Sequence, residues 1–231
     1  AGTPIWLAVM LAIAVGTLAG FINGFLIAYG HLPPFIATLG MMGIARGIAL
    51  IITGGITVGG LPADFGWIGQ ANLFGFLPVP VLITVAIAVI IHLVLTRLRF
   101  GRYFYAIGSN IEATRLSGIN VRQTITSIYV LCGFMTGIAG VILTSRLITG
   151  QPTAGMGYEL DVIAACVIGG ASFSGGEGTI LGAMIGALIM GVLRNGCNLL
   201  NISPFYQQVA IGSIIVIAVF FDQYQRHKLG E

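Results

Sequence analysis

The residues best suited to bind a partner lie in one polar stretch between two long apolar segments. Residues 97–122 hold five of the ten basic residues in the chain. The order from Glu112 to Leu116 favours a short helix, and Gly118 is a plausible C-terminal stop. Anchoring at a membrane surface would explain the arginines, but about 25 residues exceed an ordinary helix connection of about two to eight. We therefore predict a docking loop in which Glu112 and Arg115 are the polar contacts.

A second group of candidates lies in or beside the apolar segments. Arg46 falls near the middle of residues 35–53, where a charged side chain is costly and usually faces water or a partner. Glu159, Asp161 or Glu177 could pair with it, although a long arginine can also reach the membrane surface. We predict a polar path across the membrane from five residues, namely Arg46, Asn23, Thr38, Glu159 and Asp161.

The sequence contains no convincing catalytic motif. Gly170 and Gly175 have the spacing of a phosphate-binding loop, but Gly176 and Glu177 stand where lysine and Ser/Thr are needed. The three cysteines and three histidines are scattered and match no metal-site spacing. We predict no catalytic residue, no metal site and no cofactor in this chain.

The composition identifies the environment that must position these residues. Of the 231 residues, 57% are hydrophobic and 7% charged, with a mean hydropathy of +1.01, whereas soluble domains carry about 25% charged residues. Backbone polar groups in lipid need internal partners, so only helices or closed barrels span a membrane. Long apolar runs favour helices, and we predict a single all-α membrane domain over residues 1–231. The net charge of +3 reflects membrane-flanking residues rather than nucleic-acid binding.

Seven segments are predicted to span the membrane, because a span needs about 20 apolar residues. They are residues 4–29, 35–53, 79–96, 124–146, 158–172, 178–197 and 205–221. Basic residues favour the cytosolic side, which predicts cytosolic positions for residues 97–122 and for the C-terminal tail and an outside position for residues 54–78. Residue 1 then lies outside, and we expect an odd number of spans before it.

Two patterns describe how the spans would pack. Small residues recur at four-residue spacing, which allows helix backbones to approach closely in lipid. These groups are Gly16, Gly20 and Gly24; Gly43 and Gly47; Gly133 and Gly137; and Ala183, Ala187 and Gly191. The fifth segment is short and ends in the glycine-rich residues 169–178, which are either a hinge beside the path or a flexible loop.

Several motifs together resemble a known family. Glu112-Ala113-Thr114, followed after three residues by Gly118, resembles the start of the EAA loop of permeases from binding-protein-dependent ABC importers. The strings Gly101–Ile119 and Gln151–Asp161 resemble the ribose-type branch. Residues 34–39, Arg46-Gly47 and residues 195–200 also resemble that branch. Thr114 replaces the third letter of EAA and the closing Leu-Pro is absent, so the motif's individual contacts are not transferred.

The resemblance implies a permease of about ten spans in a bacterial inner membrane, with about three spans preceding residue 1. ATP-binding subunits would hold the ATP and dock on Glu112, Ala113, Thr114, Arg115 and Gly118. A second permease subunit would complete a homodimer or heterodimer, and a periplasmic or extracellular sugar-binding protein would deliver ribose or a similar monosaccharide. Two alternatives are a secondary transporter or channel without ATPase partners and a non-transporting scaffold or receptor. The lack of an evident intramembrane Asp or Glu counts against proton coupling.

Overall fold

The computed structural model describes residues 4–172 and 174–229, and almost all of its regular structure is helical. The long helices are α1 (Ile5–Ala28), α2 (Pro34–Thr53), α4 (Val79–Arg97), α7 (Val121–Leu147), α9 (Ile180–Leu199) and α10 (Pro204–Leu229). The short elements are a 3-10 turn (Ala63–Phe65), α3 (Gly66–Gln70), α5 (Arg99–Ser109), α6 (Ile111–Leu116) and α8 (Tyr158–Ile168). Strands β1 (Asn72–Leu73) and β2 (Leu77–Pro78) form one small antiparallel hairpin.

The helices agree with the all-α membrane fold expected from composition. Among the described residues, α1, α2, α4, α7 and α9 are each long and apolar enough to cross a membrane. The apolar part of α10 is shorter, Pro204–Phe220. Helix α8 is also shorter than the predicted span 158–172, because it ends at Ile168 and is followed by Gly169 and by Gly170 with a φ of +83°. Its 11 residues extend about 16 Å, roughly half of a hydrocarbon core.

The chain divides into two compact units that are described separately. The first contains the described residues of the ranges 1–87 and 115–154, and the second those of 88–114 and 155–231. Helices α4 and α6 each continue from one unit into the other.

In the first unit, α1 packs antiparallel against α7 through the predicted glycines. A Cβ added to Gly16 or Gly20 would collide with the backbone at Gly133 or Tyr129, and one added to Gly24 with Thr126. The Thr126 hydroxyl donates to the Gly24 carbonyl at 3.4 Å, and the Arg122 guanidinium lies 5.6 Å from the centre of the Tyr29 ring. The predicted contact of Gly16, Gly20 and Gly24 with a neighbouring helix is therefore confirmed. By contrast, a Cβ added to Gly43 or Gly47 meets no atom within 4 Å.

At one end of α7, the loop after α2 folds onto the helix. Val58 and Gly150 form an antiparallel bridge, and the Gln70 side-chain amide donates to the Arg146 carbonyl at 2.9 Å. Ser145 is fully buried and its hydroxyl donates to the Phe65 carbonyl. These contacts hold part of residues 54–78 against the last turn of α7 and against Gly150, which follows it.

In the second unit, α8 packs against α9 and α10 around a small apolar core. Ala164 and Ala165 of α8, Met190 of α9 and Ile211 of α10 are buried together. The closest approach uses Gly182 and Gly186, where an added Cβ would collide with the carbonyls of Gly169 and Ala165. The predicted packing residues Ala183, Ala187 and Gly191 lie one or more positions away, and a Cβ on Gly191 meets nothing within 4 Å.

Candidate docking site and path residues

The predicted docking helix is present as α6, with both of its ends fixed locally. The Asn110 side-chain oxygen accepts a hydrogen bond from the Ala113 N–H at 2.9 Å, which satisfies a backbone donor that the first turn leaves open. Thr114 is buried, and its hydroxyl donates to the Asn110 carbonyl at 2.7 Å. Gly118 has a φ of +79° and its N–H donates to the Arg115 carbonyl at 3.0 Å. The predicted stop at Gly118 is confirmed.

The exposed side of α6 combines charge with a large apolar side chain. Glu112, Arg115 and Leu116 occupy positions i, i+3 and i+4, which lie on one helix face, and all three are exposed. Leu116 is 84% exposed, which is the feature that sequence reasoning missed. We name these three residues the docking face. This face therefore offers one apolar and two charged side chains for contact with a protein partner.

Helix α5 was not predicted, although its residues carry a clear helical pattern. Phe100, Tyr103, Phe104 and Ile107 recur at helical spacing. Ile107 is buried, while Tyr103 and Phe104 are half-buried. The helical order of this segment is hard to recognise from sequence because basic residues are interspersed among the apolar ones.

The glycine-rich loop after α8 packs directly on α5. The Tyr105 hydroxyl donates to the Gly178 carbonyl at 2.7 Å. Gly108 lies against the backbone of Gly175 and Gly176, so closely that a Cβ on Gly108 would collide with the Gly176 N atom. Gly175 and Gly176 have φ values of +91° and +78°, a conformation that side chains other than glycine rarely adopt. We name this set of contacts, Tyr105 and Gly108 with Gly175, Gly176 and Gly178, the α5 clamp.

The α5 clamp connects α5, which immediately precedes α6, to one end of α9. Immediately after Gly178, the Thr179 side chain accepts a hydrogen bond from the Gly182 N–H at 3.0 Å and caps α9. The 20 residues of α9 form a rod of about 30 Å. The sequence left two interpretations of residues 169–178, a hinge beside the path or a flexible loop. The contacts with α5 in the described part of these residues argue against a flexible loop.

At the opposite end of α9, polar residues surround a cavity of about 510 Å³. Asp161 of α8 and Arg194 of α9 form an ion pair at 2.8 Å, and the Arg194 guanidinium lies 5.6 Å from the centre of the Tyr158 ring. The cavity is also lined by three amides, namely Asn198, Gln207 and Gln208. Gln207 is 5% exposed, and its amide N–H groups donate to the Asn198 side chain at 2.9 Å and to the Ile202 carbonyl at 3.0 Å.

The other predicted path residues have different surroundings. Arg46 is half-buried on α2, and Glu159 is exposed on α8. The Thr38 hydroxyl donates to carbonyls of its own helix, Pro34 at 3.0 Å and Phe35 at 3.1 Å. The side-chain oxygen of Asn23 on α1 is buried and has no hydrogen-bond partner within the part of the chain that the structure describes. A buried amide oxygen without a partner is costly in an apolar environment.

The partner of Asp161 was not predicted. We considered Arg46 as a possible partner, and the ion pair is formed by Arg194 instead. Arg194 lies 33 residues after Asp161, and sequence spacing carries no signal for a contact between two helices packed through Gly182 and Gly186. Among the described residues, no group of three or more His, Cys, Asp or Glu side chains could hold a metal ion.

The long apolar helices define a polytopic helical membrane protein, and comparison with known proteins identifies its family. Residues 1–219 match the family described as branched-chain amino acid transport system / permease component. The match extends over nearly the whole chain, so the chain belongs to this permease family. The identification of a permease from the EAA-like loop is confirmed.

The similar curated proteins are sugar permeases of bacteria. The chain is 45% identical to the ribose import permease protein RbsC of Haemophilus influenzae, over 96% of this chain and 69% of that protein. It is 48% identical to RbsC of Bacillus subtilis, over 94% and 68%. It is 47% identical to the L-arabinose transport system permease protein AraH of Escherichia coli, over 96% and 67%. No solved structure matches the chain significantly.

Proposed function

We propose that this chain is a membrane-spanning permease subunit of an ATP-driven importer of a monosaccharide, ribose or a similar sugar. The names of the similar proteins support the substrate class, because they are permeases for ribose, L-arabinose and D-allose. We assign ATP hydrolysis to a partner subunit and substrate delivery to a sugar-binding protein. A second permease subunit would complete the membrane core.

The observation that carries this proposal is the docking face together with the α5 clamp. The docking face offers Leu116 as an apolar anchor and Glu112 and Arg115 as polar contacts to an ATP-binding subunit on the cytosolic side. The clamp connects α5, which immediately precedes α6, with the start of α9. Movement of the ATP-binding subunits would therefore be passed through α5 and the glycine-rich loop into α9, and the spans would change between outward-open and inward-open arrangements.

The sidedness of the proposal follows from the basic residues. With residues 97–122 and the C-terminal tail in the cytosol, the Asp161–Arg194 end of α9 faces the side from which the sugar arrives. Asp161 is the predicted path residue with the strongest support, since it lines a polar cavity. Arg46, Asn23, Thr38 and Glu159 stay predictions for the path.

The test is reconstitution of the chain in liposomes with its ATP-binding subunits and sugar-binding protein, using labelled ribose, L-arabinose and D-allose. We expect ATP-dependent uptake and stoichiometric co-purification of the ATP-binding subunit. Replacing Glu112 or Gly118 by alanine should reduce uptake per ATP hydrolysed while the protein stays in the membrane. Gly55→Ala is the matched control for Gly118→Ala, because both glycines have a positive φ and open space around the added Cβ.

The two alternative classes predict different results in this assay. A secondary transporter or channel would move sugar without the ATP-binding subunit, and a scaffold or receptor would not move sugar at all. Normal uptake by the Glu112 and Gly118 variants would contradict the coupling role of α6.

A further inference from the structure

The cavity at the C-terminal end of α9 is built from the ends of three helices. Tyr158 begins α8 and Asp161 follows in its first turn, Arg194 and Asn198 lie in the last turns of α9, and Gln207 lies in the first turn of α10. Its volume of about 510 Å³ falls within the range of small-molecule sites, about 300–1,000 Å³. Asp161 and Arg194 hold each other, and Gln207 is held by two hydrogen bonds, one of them to Asn198, so these four polar groups are positioned before a ligand arrives.

The chemistry of the lining favours a neutral ligand rich in hydroxyl groups. The negative charge of Asp161 is balanced by Arg194, and the other polar side chains of the lining are a phenol and three amides, so the lining carries no net charge. A charged ligand would need an unbalanced charge of opposite sign. A sugar hydroxyl both donates and accepts, and so do amides, whereas carboxylates accept and guanidinium groups donate. Arg194 has five N–H donors, more than its bond to Asp161 uses.

The lining of the cavity also has an apolar part. Met156, Leu160 and Ile211 line the cavity beside the polar residues. Sugars carry C–H groups on their ring faces as well as hydroxyls at their edges, and such a mixed surface matches a mixed lining. We propose that this cavity is a transit site for a neutral monosaccharide, an inference that rests on the import function proposed above.

The experiment measures sugar transported per ATP hydrolysed in the reconstituted complex. Asp161→Asn replaces one acceptor oxygen of a charged carboxylate by an N–H donor and should lower this ratio about tenfold or more. Asn198→Leu removes a neutral amide and should lower it about fivefold. Asn198→Leu leaves Gln207 bonded to the Ile202 carbonyl. Asn195→Leu is the matched control, because Asn195 is an exposed asparagine of α9 outside the cavity lining, and its ratio should be unchanged.

A charge exchange separates a transit site from a purely structural ion pair. The double variant Asp161→Arg/Arg194→Asp keeps an ion pair but reverses its donors and acceptors toward the cavity. We expect the ratio to stay low in this variant. Recovery of the ratio, or an unchanged ratio in Asp161→Asn, would overturn the proposal.

A binding measurement on the unmodified complex does not depend on any variant folding. Labelled D-ribose is added to the detergent-solubilised permease complex without its binding protein, and bound label is measured by equilibrium dialysis. We expect binding that unlabelled ribose displaces and L-leucine does not. No displaceable label, or displacement by leucine, would count against a sugar site. Failure of the import proposal is seen separately, as absence of ATP-dependent uptake by the unmodified complex.

Discussion

Substitution of Gly108 by alanine tests the α5 clamp directly. The added Cβ would meet the Gly176 N atom and, at 2.9 Å, the Gly176 Cα atom, and both are backbone atoms that cannot rotate away. Ordinary contact between such atoms needs about 3.5–4.0 Å, so α5 and the loop must separate by about 1 Å. Overpacking of this kind costs about 1–3 kcal/mol, which corresponds to a loss of roughly 5-fold to 150-fold in the population of the clamped arrangement.

Tyr105→Phe is a milder perturbation of the same contact. It removes the hydroxyl that donates to the Gly178 carbonyl at 2.7 Å and leaves the ring in place. The loss of one hydrogen bond of about 1 kcal/mol predicts a change of about fivefold. The two variants should therefore rank with Gly108→Ala more severe than Tyr105→Phe.

The assay is ATP hydrolysis and sugar uptake measured in parallel in reconstituted liposomes. If the clamp transmits movement from the docking segment to α9, hydrolysis should continue while uptake per ATP falls by about fivefold or more in Gly108→Ala. Gly191→Ala is the matched control, since it adds the same methyl group to a helix of the same unit where nothing lies within 4 Å. Full coupling in Gly108→Ala, with the protein folded and inserted, would refute the reasoning.

Three further predictions concern docking, helix packing and the loop beside α7. Leu116→Asp should reduce co-purification of the ATP-binding subunit at least about tenfold, because an apolar anchor becomes charged. The control is Leu199→Asp, which should leave co-purification unchanged, since Leu199 is 76% exposed but lies at the far end of α9. Gly20→Ala should lower the Tm in detergent by about 2–10 °C through overpacking against α7. Gly43→Ala is the control and should not lower it, because its added Cβ meets nothing within 4 Å and alanine favours a helix over glycine; equal Tm values would contradict the packing. Ser145→Ala removes the hydroxyl that donates to the Phe65 carbonyl and costs about 1–3 kcal/mol, so limited proteolysis of residues 54–78 should accelerate. The control is Thr144→Val, which removes only a hydrogen bond within α7. Equal proteolysis rates in the two variants would contradict the role of Ser145 in holding the loop.

The positions of the long helices could be predicted from apolar length, because lipid imposes one requirement on every span. The predicted segment 35–53 became Pro34–Thr53, and 178–197 became Ile180–Leu199. The end of α6 at Leu116 was also predictable, since Gly118 follows it closely with a φ of +79°, a conformation that favours glycine. The predicted segment 158–172 extends four residues too far, because it includes Gly169 and Gly170, and α8 ends at Ile168 where these glycines begin.

The candidate site was predicted in part, and the missing part consists of contacts between distant segments. Glu112 and Arg115 could be predicted because they lie in the helix-compatible, EAA-like stretch of the long polar loop. The role of Leu116 could not be predicted, because leucine is common in this chain and sequence alone does not show which leucines are exposed. The Asp161–Arg194 pair and the Tyr105–Gly178 hydrogen bond join residues separated by 33 and 73 positions, and only the packing of α8, α9 and α5 decides that they meet.

The geometry of α9 gives a reason why its two ends should act together. The helix is held near its start by the contacts of Gly182 and Gly186 with α8, which lie about 6–12 Å along the axis from Gly178. Arg194 and Asn198 lie about 15–21 Å beyond the midpoint of those contacts. If α9 pivots there as a rigid rod, a displacement of about 1 Å at the clamp becomes about 2 Å at the cavity, enough to break the 2.8 Å Asp161–Arg194 ion pair. The pivot at Gly182 and Gly186 lies close to the clamp, and the ion pair lies far from it. A small movement of α5 therefore produces a larger movement of Arg194 in the cavity.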